Sequence, residues 1–456
     1  MTRQYIHLGY QRLLGFEVRG GGFDWFGNPP ANQTLTAYGL MEFEDMAKVH
    51  DVDPRLIERT RNWLLGQRQS DSSWRPESRR PINDPTLRAA AQSRALSTTA
   101  YIAWAVYRSA DEKGDAAATL DFLLAFSPEE ISSPYVLALV CNAMLAIDET
   151  GRHVRPYLDR LVAMKKSSDD GKLVWWEQGR GQTTFYGQGR SAEIETTALA
   201  TLALLKAGRD PGAARGALAW LVKVKDAVGT WHSTQATVLA LKALVAGSQS
   251  QLGGEQERRI QWTFDDEESR MIVSPADQSE VMRQVVLRDL MPGEHLLKVV
   301  DRSDCGTGYQ VTLRYHVPDQ RPTAEKEPLT IDVQYDRTEL AVNDTAQVVA
   351  TVVNNMSGAA PMVMVDLPIP PGFTLDRDDF RAMIDAGNIE KFEVTSRSVI
   401  VYLRNLSPGE PLVLRYELRA TMPLRATIPA AVVYLYYDPD TRGLGEAAEI
   451  VVTKQM

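Results

Sequence analysis

The hydrophobic pattern of this chain changes period once, near Gln249, and that change constrains the fold more than any other feature. Before it, apolar residues recur at helical spacing. In HVRPYLDRLVAM, Val154, Tyr157, Leu158, Leu161 and Val162 fall at i, i+3, i+4, i+7 and i+8, the stripe of a helix buried on one side. DPRLIERTRNWLLG repeats the stripe with Leu56, Ile57, Thr60, Trp63 and Leu64. Between such segments lie others that are apolar nearly all round: YVLALVCNAMLA, IETTALATLALLKA and STQATVLALKALVAG. A helix without a polar face has to be covered on every side. After Gln249 the period is two. LVLRYELRAT alternates Leu412, Leu414, Tyr416 and Leu418 with Val413, Arg415, Glu417 and Arg419, as a half-buried strand does. SVIVYL, AAVVYLYY, VMRQVVLRDL and YQVTLRYHV read as strands too, separated by turns such as Pro292–Glu294 and Pro408–Glu410.

Alternating one-sided and fully covered helices implies two concentric rings, an α/α toroid of helical hairpins. A repeat supports it: Trp63-LLGQRQSDSS-Trp74 and Trp220-LVKVKDAVGT-Trp231 have the same length. The covered helices also share a start, with TAYGL at Thr36, TAYIA at Thr99, TALAT at Thr197 and QATVL at Gln235. Inner helices are expected to begin near Gln33, Gln92, Ser132, Ser191 and Ser233, and outer ones to span about 1–14, 54–66, 113–126, 152–164 and 211–223. The fold class is therefore multidomain, α then β: a toroid over 1–248, then two antiparallel β-sandwich units over 249–322 and 323–456. The charged, proline-bounded segment Asp319–Pro328 links the two units, and one amphipathic helix, DRDDFRAMIDAG, interrupts the second.

Composition removes several function classes. A formal charge of −9 lacks the basic footprint of a nucleic-acid binder. Two cysteines, Cys141 and Cys305, cannot form a disulfide framework. No apolar run reaches the ~20 residues of a membrane-spanning helix, and MTRQYIHLG has no signal-peptide core. Cys141 sits in an apolar helix and His7, His50, His153 and His232 are scattered, so no metal or cofactor site is expected. The glycine-rich GRGQTTFYGQGR (Gly179–Arg190) has no strand before it and no Gly-Lys-Ser/Thr after it, which makes it a mobile loop over the toroid mouth rather than a phosphate cradle. Glu193 and Glu195 follow WWEQ (Trp175–Gln178). Two residues apart they point in different directions, so they read as helix-start acids on the dipole ahead of a glycosidase pair. DRDD (Asp376–Asp379) matches the acid motif of terpene cyclases but opens a helix in the β half, where Asp376 as N-cap and Asp379 three residues on explain it.

Taken in order, GYQRLL (Gly9–Leu14), the FDWFG turn, TLTAYGL, WLLGQRQSDSSW, SAEIETTALATLALL (Ser191–Leu205) and STQATVLALKAL resemble the thioester domain of the alpha-2-macroglobulin and complement family. GTGYQVTLRYHVP (Gly306–Pro318) resembles the second part of the split CUB-like domain. VMVDLPIPPGFTL, VIVYLRNLSPGEPLVLRYELRA and AAVVYLYYDPDTRG resemble the C-terminal receptor-binding sandwich. The resemblance implies a protease inhibitor and not an enzyme: a protease cuts a bait region, the molecule rearranges, and a Cys–Gln thioester acylates a lysine of the protease, which is left enclosed. It also implies upstream macroglobulin domains, proteases as partners and a periplasmic or extracellular location.

The family carries its thioester on Cys-Gly-Glu-Gln, a few dozen residues before the GYQRLL-like stretch, and this chain does not contain that tetrapeptide. Cys305-Gly306-Thr307-Gly308 lacks the glutamine, and Gly253-Gly254-Glu255-Gln256 lacks the thiol. Five inner and five outer helices, against the family's six hairpins, imply that the inner helix bearing the thioester lies before Met1. The resemblance places Tyr10, Gln11, Asn83, Tyr186, Glu193, Glu195 and Gln235 toward the thioester pocket. Asn83 falls where hydroxyl-acylating relatives carry a catalytic histidine, which implies direct transfer to amines. Arg377 and Arg381 occupy the positions of two receptor-docking lysines in animal relatives; with four acids in the same helix they read as a solvated face. Two alternatives remain open: a thioester-less homologue acting as a non-covalent scaffold, and a toroid enzyme acting on isoprenoids or glycans.

Overall fold

A helix that is apolar all round needs neighbours all round, and the first half of the chain supplies them by closing helices into a ring. The protein is described from a computed structural model covering residues 2–75, 85–109, 116–179, 182–226, 229–249, 257–265, 269–276, 283–288, 290–303, 311, 313 and 327–454. The inner helices are α2 (Gln33–Met46), α4 (Pro85–Tyr107), α6 (Pro134–Ile147), α8 (Gly189–Ala207) and α10 (Thr234–Gln249). The outer ones are α1 (Thr2–Leu14), α3 (Pro54–Gly66), α5 (Ala116–Leu124), α7 (Arg155–Ala163) and α9 (Pro211–Lys223). Inner helices pack in the order α2, α4, α6, α8, α10. The ring is closed by Lys242 of α10, which reaches Glu42 at 2.8 Å and Asp45 at 3.0 Å on α2.

Burial follows the sequence pattern. Every residue of α6 from Pro134 to Ala146 is buried, whereas α3 buries only Leu56, Thr60 and Leu64. Proline in the first turn and a side-chain cap from Asp53, Ser133 or Asp210 start α3, α6 and α9, satisfying helix-end N–H groups that would otherwise lack partners. Helix α4 begins at Pro85, about two turns before the expected start at Gln92, because a proline fits a first turn. One face of α10 is less covered than its composition predicts, with Leu241 48% and Val245 55% exposed.

The repeated Trp and Thr residues are a clamp. The indole N–H of Trp74 donates to the Leu64 carbonyl at the end of α3, and its backbone N–H donates to the Thr99 hydroxyl on α4, at 2.7 and 2.9 Å. Trp231 does the same with Leu221 and Thr237, at 2.7 and 3.0 Å. Trp176 makes the third clamp, with Leu161 at 2.7 Å and Thr197 at 3.1 Å. It escaped the sequence repeat because the short hairpin β1 (Lys166–Ser167) and β2 (Val174–Trp175) lengthens its connection. At the start of the ring Phe23 N–H meets Thr36 at 2.8 Å, without an indole. Before it, Gly21 and Gly22 have φ of +99° and +82°, and a Cβ on either would lie 2.8 Å from the Trp63 ring, so that turn requires glycine.

The β half begins with β3 (Arg258–Phe264), β4 (Arg270–Ser274) and β5 (Leu297–Asp301), an antiparallel sheet with β3 in the centre. No strand forms over 283–288 within VMRQVVLRDL, since alternation alone supplies no pairing partner. Of YQVTLRYHV all but Val311 and Leu313 lie outside the described residues, as does Cys305. The C-terminal part contains β6 (Leu329–Tyr335), β7 (Glu339–Ala341), β8 (Thr345–Asn354), β9 (Ala360–Pro368), β10 (Phe373–Leu375), α11 (Arg377–Asp385), β11 (Lys391–Val394) and β12 (Ser398–Leu406). It ends with β13 (Leu412–Ala420), β14 (Leu424–Ile428), β15 (Val432–Leu435), β16 (Asp438–Leu444) and β17 (Ala448–Thr453). Sheets ordered β10-β13-β8-β6 and β11-β12-β9-β15-β16 enclose one core. Leu414, Tyr416 and Leu418 of β13 face Ala350, Val348 and Ala346 of β8 and are buried, as their alternation required. A third sheet, β14-β17-β7, includes a parallel pair, β17 with β7.

Candidate functional site

The loop between β2 and α8, glycine-rich in sequence, is held down by the N-terminal end of α6. The Ser133 hydroxyl donates to the Gln178 side chain at 3.0 Å, and the Thr184 N–H donates to the Tyr135 hydroxyl at 3.1 Å. Phe185 inserts between the rings of Trp25, Tyr38 and Tyr101, at centroid distances of 6.1, 5.5 and 5.3 Å. Residues 183–187 close on themselves, with Thr183 N–H to the Gly187 carbonyl at 3.0 Å and Gly187 N–H to the Thr183 hydroxyl at 2.9 Å. Tyr186 pays for this turn with a φ of +63°, which a side chain seldom adopts. Gly187 has no alternative, since a Cβ there would collide with Glu195 Oε1 and with the Thr183 hydroxyl.

Glu195 lies directly under that turn. It is 0% exposed, and neither carboxylate oxygen completes a hydrogen bond, although the Thr183 hydroxyl stands beside it. Burial raises its pKa from 4.5 to about 8, which keeps it neutral at pH 7. The expectation that Glu193 and Glu195 are helix-start acids is corrected here. Helix α8 begins at Gly189 and has no acid in its first turn, so Glu195 belongs to the second turn and to the interior. Glu193, half-buried, is also raised by burial. Further buried polar atoms of the inner helices lack partners: Gln33 Oε1, the Tyr101 hydroxyl and the Ser191 hydroxyl. The Gln235 carboxamide lies beside Tyr101 without completing a hydrogen bond to it. Such groups cost free energy and call for an account.

The C-terminal sandwich closes this cluster. The tight turn between β15 and β16 presents Tyr437, 7% exposed, whose ring lies 5.6 Å from that of Trp25 and 6.2 Å from that of Tyr186. Tyr437 is near enough to Glu195 for their charges to interact, and burial pushes its phenol well above the ordinary value. Beside it, Arg404 of β12 donates to both oxygens of Asp24, each at 3.3 Å, and to Glu390 at 3.0 Å. Asp24 is 1% exposed, and Arg404 also lies 5.5 Å from the Phe26 ring centroid. His232 and Asp440 approach to 3.5 Å across the same interface. The FDWFG turn thus supplies Phe23 to the toroid core and Asp24, Trp25 and Phe26 to the sandwich contact.

Of the residues singled out in the sequence, the structure brings Tyr186, Glu195 and Gln235 to the cluster, with Glu193 at its edge. It places Tyr10 elsewhere, against the rings of Phe43 and His50, with its hydroxyl accepting from Asp53 N–H at 3.3 Å. Gln11 is exposed and pairs with His7 at 3.1 Å, and Asn83 lies outside the described residues. Arg377 and Arg381 are exposed on α11, Arg381 pairing with Asp378 at 2.7 Å. Asp376 caps α11 as expected, accepting from Asp378 N–H at 2.9 Å, but Asp379 instead accepts from Glu417 N–H of β13 at 2.9 Å. Sequence reasoning missed Trp25, Asp24, Thr183, Arg404 and Tyr437. The aromatic density of FDWFG and YLYY was the available signal, and nothing local says that these two segments meet. Among the described residues no group of His, Cys, Asp or Glu is arranged to hold a metal ion.

With this geometry, comparison with known proteins is specific. Residues 1–246 match the family model of the A-macroglobulin TED domain, and residues 358–446 match that of the A-macroglobulin receptor binding domain. Ovostatin from Gallus gallus is 22% identical over 466 aligned positions, covering 98% of this chain and 30% of that protein. The crystal structure of Salmonella alpha-2-macroglobulin reacted with methylamine superimposes with a TM-score of 0.65 at 18% identity, over 99% of this chain and 28% of that one. Native Escherichia coli alpha-2-macroglobulin spanning domain MG7 to the C-terminus gives 0.66 at 17% identity, over 99% of this chain and 68% of that one. This chain therefore spans less than a third of ovostatin and of the Salmonella protein.

Proposed function

The chain belongs to the alpha-macroglobulin family, and from that premise we propose that it is the housing of a protease trap, an inhibitor rather than an enzyme. Its toroid (1–248), β unit (249–322) and sandwich (323–456) would follow upstream macroglobulin domains and work in the periplasm or outside the cell, with proteases as partners. In this reading a protease cuts upstream, the molecule rearranges, and a thioester is released from shelter to acylate a lysine on the protease. A thioester survives in water only where water is kept away. The observation that carries the proposal is the seal: partnerless polar groups of the inner helices, closed by Tyr437 and Trp25 and pinned by Arg404 on Asp24.

The chain itself carries no covalent reactivity in this account. It lacks Cys-Gly-Glu-Gln, and Cys141 is fully buried, with its thiol pushed well above the ordinary value by that burial, the opposite of an activated nucleophile. That same lack favours a second reading, a non-covalent scaffold. Methylamine treatment with intact-mass and thiol analysis separates them. This chain is expected to stay unchanged, while the longest product of its gene gains one methylamine and one thiol if it is a covalent trap. A product that never reacts leaves the scaffold, and an adduct on this chain contradicts both. A toroid enzyme would need several acids around an open cavity, whereas Glu195 and Asp24 here are 0% and 1% exposed.

A further inference from the structure

A carboxyl with no partner is expensive to keep in a protein interior, so Glu195 invites the question of what it waits for. Its surroundings narrow the answer. The Thr183 hydroxyl stands beside it, Tyr135 of α6 and Tyr437 of the sandwich are the titratable groups that face it, and Gly187, where a Cβ would collide with Oε1, places no side chain against it. The nearby Trp25, Phe185 and Tyr186 rings line the same interface. A single buried acid at an interface rich in aromatic rings suits a small cation with N–H donors: the acid takes the hydrogen bonds, and rings tolerate the remaining charge. An anion would meet a carboxyl. A neutral apolar group would leave both oxygens as they are.

We propose that Glu195 is the acid–base residue of this site, holding a primary ammonium once Tyr437 moves aside and taking its proton as water is excluded again. Moving Tyr437 hydrates Glu195, which gives its proton to water and becomes a carboxylate able to pair with R–NH₃⁺. When the site dries, burial disfavours both charges, raising the carboxyl pKa and lowering that of the amine. The proton then passes from the ammonium nitrogen to a carboxylate oxygen. What remains is a neutral acid and a neutral amine with a free lone pair, the form that can attack an acyl group. Glu195 is raised by burial even in the closed state, which agrees with this direction. The use of that amine rests on the trap reading above; the binding itself does not.

The test uses this chain, with n-butylammonium chloride as probe and tetramethylammonium, which has no N–H, as control. The variants are Y437A, which opens the site, and Y437A/E195Q, each checked for fold by far-UV circular dichroism. Calorimetric titration is expected to detect butylammonium binding to Y437A that weakens by about tenfold or more in the double variant, with protons released to the buffer on binding. Tetramethylammonium is expected to be insensitive to E195Q. Equal butylammonium binding in both variants, or none in a folded Y437A, would overturn the proposal. Should Y437A fail to fold, thermal shifts of the unaltered chain by butylammonium decide. A rise in Tm that E195Q abolishes supports the proposal, and no rise, or one that E195Q leaves, overturns it. The methylamine reaction of the longer product answers a separate question, so either result can fail alone.

Discussion

Burying a carboxyl without a partner favours its neutral form, and at Glu195 this moves the pKa from 4.5 to about 8. The linkage sign follows. Below pH 4.5 both the folded and unfolded states hold the proton. Between 4.5 and 8 only the folded state does, so stability falls as pH rises through that window and levels off above it. At ~1.4 kcal/mol per unit the loss is on the order of several kcal/mol. We expect E195Q to remove that component, so that urea midpoints at pH 5 and pH 8 differ less in the variant than in the natural chain. An unchanged difference would place the pH dependence elsewhere. Glu195 was visible in the sequence as one of two acids near a helix start, but its burial was not. Its depth depends on α8 beginning at Gly189 and on a turn folding over it, and both are tertiary outcomes.

At the scale of elements, the toroid is assembled from one repeated joint. A tryptophan ties the end of an outer helix to a threonine of the next inner helix, three times among the described residues. T197V keeps the shape of the side chain but leaves the buried Trp176 N–H unpaired, an expected cost of about 1–3 kcal/mol; T197S, which retains the hydroxyl, is expected to cost less. Chemical denaturation of the two variants side by side checks this. The helical joints were legible because each brings its own local signal: a period, a cap, a tryptophan at fixed spacing. The strands were legible where alternation coincided with a partner, as in β13 against β8, and not at 283–288, which pairs with no strand among the described residues. Pairing is a property of two segments, and a single segment cannot announce it.

At the scale of the whole molecule, the functional account rests on a contact between residues nearly the full chain apart, Asp24 with Arg404 and Trp25 with Tyr437. No periodicity encodes such a meeting, which is why the site was the least legible part of the sequence. R404A would leave the buried Asp24 carboxylate without its counter-charge; with Arg404 itself 40% exposed the expected loss is about 1–3 kcal/mol, and the molecule can avoid it by letting the sandwich lift away and water in. Hydrogen exchange read by mass spectrometry measures that event directly. In the natural chain the amides of residues 183–187 and 432–438 should exchange slowly. In R404A both segments should speed up together, while the α6 interior keeps its protection. If the amides of 183–187 stay as protected in R404A as in the natural chain while 432–438 opens, the sandwich is not what seals the site, and the central claim fails.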